Sequence, residues 1–121
     1  MSDYSVKRID EMEAVVFGSF KRARAELGVE SFGMQVIDIP PKATQHPEHD
    51  HQSDGQEEVF IVLSGAATMV IDGEEHSAPA GTFVRVDPPL RRTVRNDGSE
   101  TASVLIVSAP RTSGYAAMDW N

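Results

Sequence analysis

The chain has 121 residues, 40 % of them hydrophobic, which is enough for one domain around one core and too little for two. Its 11 basic and 19 acidic residues leave a formal charge of −8, a balance that repels nucleic-acid phosphates and anionic lipid. It has no cysteine, which excludes disulfides, thiolate zinc sites and cysteine nucleophiles and suits a reducing compartment.

The start, MSDYSVKRIDEMEAVV, lacks the long apolar run of a signal peptide, and no later stretch approaches a membrane span. A cytoplasmic protein is the expectation. Asp10 and Glu13 have the spacing of a capping box, although Gly18 soon interrupts the helical pattern. SFKRARAELG, residues 19–28, reads as one short helix. Ser19 is its cap, Phe20, Ala23 and Leu27 share a face, and Gly28 is the stop. Lys21, Arg22 and Arg24 are its solvated charges.

From residue 31 the pattern changes to strands and turns. SFGMQVIDI is ended by two prolines, which cannot donate to a ladder. EVFIVLSG and AATMVIDGEEHS come after a histidine-rich loop. Within the second run, Asp72-Gly73 is a hairpin signal, because a type I′ turn needs positive φ at both central residues. GTFVRV, RRTVRN and TASVLIVSA complete about eight short strands, separated by DPPL and NDGSE. An all-β sandwich or barrel with one short N-terminal helix is predicted. The barrel core spans about 31–108. Segments 1–30 and 109–121 are expected to pack on it or on a second subunit, since Tyr115, Met118 and Trp120 are too apolar for a free tail.

The loop HPEHDHQSDGQEE carries the candidate chemistry. Side chains two apart on an extended segment share a face, so His49 and His51 can aim at one point, while His46 is out of phase. Two imidazoles and one carboxylate form an open set that suits iron, manganese, nickel, zinc or copper. Glu57 and Glu58 both qualify as the carboxylate. Alternation along a straight strand favours Glu57, but the turn-forming QSDG resets the phase. DHQSDG also echoes a calcium loop, yet its twelfth position is Ile61 rather than a bidentate glutamate. Ser64 has no nucleophile elbow around it.

His49-x-His51, then Glu58, then Gly65 beyond an apolar VFIVL, resembles the first conserved motif of the cupin superfamily. The resemblance implies a small β-barrel of the double-stranded β-helix or jelly-roll kind. It also implies His49, His51 and Glu58 as metal ligands, with Phe60 and Val62 facing the interior beside them. The spacer between His51 and Glu58 is longer than the family's usual one. IDGEEHSAPAGTFVRV is similar to the stretch leading into the second motif. There the chain departs from the pattern: laid on from Gly81, the motif puts Asp87 at the proline, Pro89 at the glycine, Arg92 at the histidine and Asn96 at the asparagine. The family's fourth ligand is therefore replaced by Arg92.

Arg92 has two physical readings. Pointing outward, it leaves three donors for a divalent ion and three open positions, as in a metal-dependent oxygenase or isomerase. Pointing inward, its permanent charge opposes a cation and pairs with Glu58 or an anionic ligand. Two like charges about 4 Å apart at an effective dielectric near 20 repel by roughly 4 kcal/mol, about three orders of magnitude in affinity. His76 shares strand parity with Ala78 and is a candidate substitute ligand, set against a surface position beside the turn. Arg85, Arg91 and Arg95, with Arg92, would make the barrel mouth locally positive and favour a carboxylate or phenolate ligand. Glu57, Phe60 and Arg92 are the candidate ligand-contacting residues. By resemblance a homodimer is expected, since unpaired sheet edges need cover.

Overall fold

The structure, a computed structural model, describes residues 3–16, 18–43 and 47–120. His46 lies outside them. Strands β1 (Ala14–Val15), β2 (Phe20–Lys21) and helix α1 (Ala23–Leu27) precede β3 (Gly33–Ile39), β4 (Gln56–Ser64), β5 (Ala66–Ile71) and β6 (Glu74–Pro79). β7 (Phe83–Val86), β8 (Arg92–Arg95) and β9 (Ala102–Pro110) complete the fold. The strands form two antiparallel sheets, one of six in the order β1-β2-β3-β9-β4-β7 and one of three in the order β6-β5-β8.

Alternation explains how the sheets close on one another. Glu58, Phe60 and Val62 of β4 are buried while Val59 and Ile61 are not, and Ala102, Val104 and Ile106 of β9 repeat the pattern. The register aligns these faces: Phe60 lies opposite Ile106 and Val84, and Val62 opposite Val104. Ala67, Met69, Ala78 and Val94 of the smaller sheet fill the other side of the same core. Each fully buried Val, Ile or Phe contributes about 1.5–3 kcal/mol, so the inner faces hold the barrel together.

Two turns need their glycines. Asp72 and Gly73 adopt φ of 48° and 81°, which is the type I′ geometry expected at this hairpin. Gly65 has φ of +73°, and a Cβ there would lie 2.5 Å from the Thr101 carbonyl oxygen. Asn96 is buried and fully satisfied. Its Nδ2 donates to the carbonyls of Ile39 (2.9 Å) and Glu100 (2.8 Å), and its Oδ1 accepts from the Gly98 N–H (2.9 Å).

The N-terminal segment differs from the sequence reading. Ser19 does not cap a helix over 19–28: Phe20 and Lys21 pair with Ile37 and Val36 of β3 instead, because Phe20 gains more by packing against the core than by one helical turn. The helix begins at Ala23, after Arg22, which makes no capping bond, and ends as expected at Gly28 in the left-handed region. Asp10 and Glu13 form no capping box. A 3-10 turn spans Ile9–Glu11, and the Glu13 N–H donates to Glu26. In the tail, Tyr115, Met118 and Trp120 are 74 %, 59 % and 78 % exposed. No helix among the described residues is long and apolar enough to cross a membrane.

Candidate functional site

His49 to His51 is held extended alongside the chain before β8. His49 exchanges backbone hydrogen bonds with Arg92 (3.0 and 2.8 Å), and the His51 N–H donates to the Pro88 carbonyl (2.8 Å). A turn comes next. The Asp50 carboxylate accepts the Gln52 N–H (3.1 Å), the Gly55 N–H returns to the His51 carbonyl (2.7 Å), and Gly55 takes a positive φ. That turn shifts the phase between the histidines and β4. As a result Glu58 points inward and is 4 % exposed, while Glu57 points outward to Arg85 and Arg111.

Three donors converge. Ligand atoms of His49, His51 and Glu58 all lie within 4.8 Å of one another. His51 Nε2 is 3.3 Å from Glu58 Oε2, and His49 Nε2 is 3.8 Å from Glu58 Oε1. The two rings meet edge to face with centroids 5.1 Å apart. His51 is anchored from behind, its Nδ1 lying 3.0 Å from Asp54 Oδ1. An ionised carboxylate only accepts, so Nδ1 carries a proton toward Asp54 and the ring's other nitrogen, Nε2, is turned toward Glu58. That Nε2 is buried and has no hydrogen-bond partner among the described residues. Asp54 itself titrates below its ordinary value of 3.8. Desolvation works against this, but hydrogen bonds from His51 and the Gln56 N–H, with the His51 charge, outweigh it.

Arg92 points inward. It is 0 % exposed. Its Nη1 donates to Glu58 Oε1 at 2.7 Å, its Nε to the Leu90 carbonyl at 2.9 Å and its Nη2 to the Asp87 carbonyl at 2.6 Å. The guanidinium is thus locked by one carboxylate and the loop before β8. His76 sits apart on β6, 3.6 Å from Glu74 with its side chain 47 % exposed. The outer arginines are neutralised in pairs: Arg85 with Glu57 and Asp87, Arg91 with Glu48, and Arg95 with Glu75 and Asp97. They do not combine into the positive mouth that the sequence suggested.

Beside the cluster lies a cavity of about 710 Å³. Phe20, Ile37, Ile39, Phe60, Val94 and Ile106 form its apolar wall, His49 and Glu58 lie at the end next to the cluster, and Ser19, Gln35, Asp38 and Thr93 add polar groups elsewhere on the lining. Sequence reasoning missed two features. Asp54 stands three residues after His51, within a stretch whose composition signals only a turn and an incomplete calcium loop. Phe20 has the spacing of a helical face, and no local signal places it against β3.

Two facing antiparallel sheets around an apolar interior, with a His-x-His pair and a glutamate meeting at one end, define a small β-barrel with an internal donor cluster. The Cupin domain family model matches residues 35–108, and the chain belongs to the cupin superfamily. Among solved structures it is similar to a cupin protein from Bacteroides fragilis, with TM-score 0.80 and 20 % identity over 98 % of this chain and 93 % of that one. A protein from Photorhabdus luminescens matches with TM-score 0.71 and 19 % identity over 93 % and 92 %. A sugar phosphate isomerase of the cupin superfamily from Silicibacter pomeroyi matches with TM-score 0.63 and 23 % identity over 83 % and 66 %. No curated protein matches the sequence.

Proposed function

We propose that this cupin binds a small organic molecule in its barrel interior, next to a divalent transition metal held by His49, His51 and Glu58. One observation carries the reading: a buried His51 Nε2 without a hydrogen-bond partner among the described residues, facing Glu58 Oε2 at 3.3 Å. With the imidazole neutral, lone pairs of Nε2 and Oε2 face each other there, an arrangement that a bound cation relieves. Iron, manganese, nickel, zinc and copper all suit the set, and positions remain for water or substrate. A bound metal supplies Lewis-acid polarisation or oxygen activation, and the structural likeness to a sugar phosphate isomerase keeps isomerisation beside oxygenation as reaction types.

The chain's own residues prepare the site. Asp54 fixes the tautomer and ring orientation of His51. Arg92 holds one oxygen of Glu58, leaving the other turned to His51, while its charge lowers the affinity of the cluster for a cation. Phe60 and Ile106 exclude water from the adjoining wall. The reading places the protein in the cytoplasm, in keeping with its lack of cysteine. It also makes the protein a homodimer, in keeping with the exposed Leu63 and Phe83 on the outer sheet face.

A second reading is favoured by the Arg92–Glu58 pair itself. The guanidinium already supplies the positive charge that Glu58 requires, so the barrel binds its ligand without metal and His49 acts as a hydrogen-bonding group. Metal analysis of protein purified without chelators separates the two. Stoichiometric transition metal that disappears in a His49→Ala, His51→Ala variant supports the first. No metal in either protein, and no rise in melting temperature with iron, manganese, nickel or zinc, supports the second.

A further inference from the structure

We infer that the ligand of the barrel is a mainly apolar, uncharged compound carrying one oxygen function, a hydroxyl or carbonyl, at the end that meets His49 and Glu58, and that it is not a sugar phosphate. The inference rests on the metal-free reading of the barrel interior as the binding site, since a cation on His49, His51 and Glu58 would itself attract a phosphate.

The walls decide the ligand's body. A cavity of about 710 Å³ lies within the range that takes a small organic molecule. Its sides are made mainly by Phe20, Ile37, Ile39, Phe60, Val94 and Ile106, with Ser19, Gln35, Asp38 and Thr93 as scattered polar groups, so a polyhydroxylated ligand would lose more water hydrogen bonds along its length than it regains. Each hydroxyl stranded in this way costs about 1–3 kcal/mol.

Charge decides the ligand's head. No lysine or arginine is among the described residues that line the cavity. The basic groups nearby are already engaged: Lys21 with Asp38 at 3.3 Å, Lys42 with the Asp97 carbonyl at 2.8 Å, and Arg92 with Glu58. A phosphate would therefore enter a site that offers it no cation and whose polar end is a carboxylate, the reverse of what phosphate recognition needs. A single hydroxyl or carbonyl is served by the His49 ring, whose side chain is 42 % exposed.

The test uses the full chain and two probes, 2-naphthol and glucose 6-phosphate, each read by thermal melting and by titration of naphthol fluorescence. Ala43→Trp and Gln35→Phe fill the cavity from two different positions on its lining, and each is used only where it keeps a cooperative melt. Naphthol at ten times its dissociation constant should raise the melting temperature of the natural chain on the order of 5 °C. The shift should vanish in whichever filled variant folds, and glucose 6-phosphate should shift neither protein. Stabilisation by glucose 6-phosphate that is lost on filling would overturn the ligand class while leaving the barrel as a binding site. A naphthol shift that survives filling, or no shift with either probe, would overturn the inference too. The metal content of the same samples, measured separately, reports on the donor cluster regardless of those results.

Discussion

Replacing Glu58 by Leu leaves the Arg92 guanidinium with the carbonyls of Leu90, Asp87 and, at 3.5 Å, Pro88, and no counter-charge in a fully buried position. At 2.7 Å and an effective dielectric of about 20, the pair attracts by roughly 6 kcal/mol before desolvation, which offsets much of it. Losing one partner of such a pair costs about 3–5 kcal/mol, a large share of the roughly 5–15 kcal/mol that holds a domain together. For a chain of this length that is a fall in melting temperature of about 10–20 °C. The Glu58→Leu, Arg92→Met double variant removes both charges and is expected to return close to the natural stability, within about 2 kcal/mol, because neither desolvation cost remains. Urea unfolding of the two single variants and the double variant gives the coupling energy directly. A Glu58→Leu cost below about 1 kcal/mol, or single effects that simply add to within about 0.5 kcal/mol, would refute the reasoning.

Asp54→Ala should weaken metal binding by about 10–100-fold, with little change in unfolding free energy, because it frees the His51 ring without opening the core; isothermal titration with zinc or manganese checks it. Asp97 is held below its ordinary value of 3.8 by the hydrogen bond and charge of Arg95, against some desolvation. A depressed carboxyl stabilises the fold above the unfolded value and loses that contribution as pH falls through the folded one. Asp97→Asn should therefore flatten the stability curve below about pH 4, and an unchanged acid limb would count against the pairing. Gly65→Ala combines a positive φ with a Cβ 2.5 Å from the Thr101 carbonyl, so urea unfolding should show a loss of about 1–3 kcal/mol or more.

Most of the fold was legible because each strand carries its own signal. Alternating apolar residues in VFIVL and SVLIV, prolines after Ile39 and the Asp-Gly turn at Asp72 are local properties of the chain, and they placed β3 to β9 in order. The N-terminal segment was less legible. Phe20 joins a two-residue strand whose partner lies 17 positions further on, and nothing within its own neighbourhood distinguishes that from a helical face.

At the site, the sequence by itself determined which donors are available: a His-x-His pair, a glutamate on an apolar strand, and an arginine where the family's second motif has a histidine. Tertiary structure decided what those groups face. The turn over residues 52–55 set Glu58 inward and Glu57 outward, and the pairing of His49 with Arg92 carried the guanidinium onto the same carboxylate. Composition records a charge but not its partner, because the energy of a buried ion depends on a separation of a few ångströms between residues 34 positions apart. The same holds for the outer arginines. Counted along the chain they promise a positive mouth, and paired in space with Glu48, Glu57, Glu75, Asp87 and Asp97 they cancel.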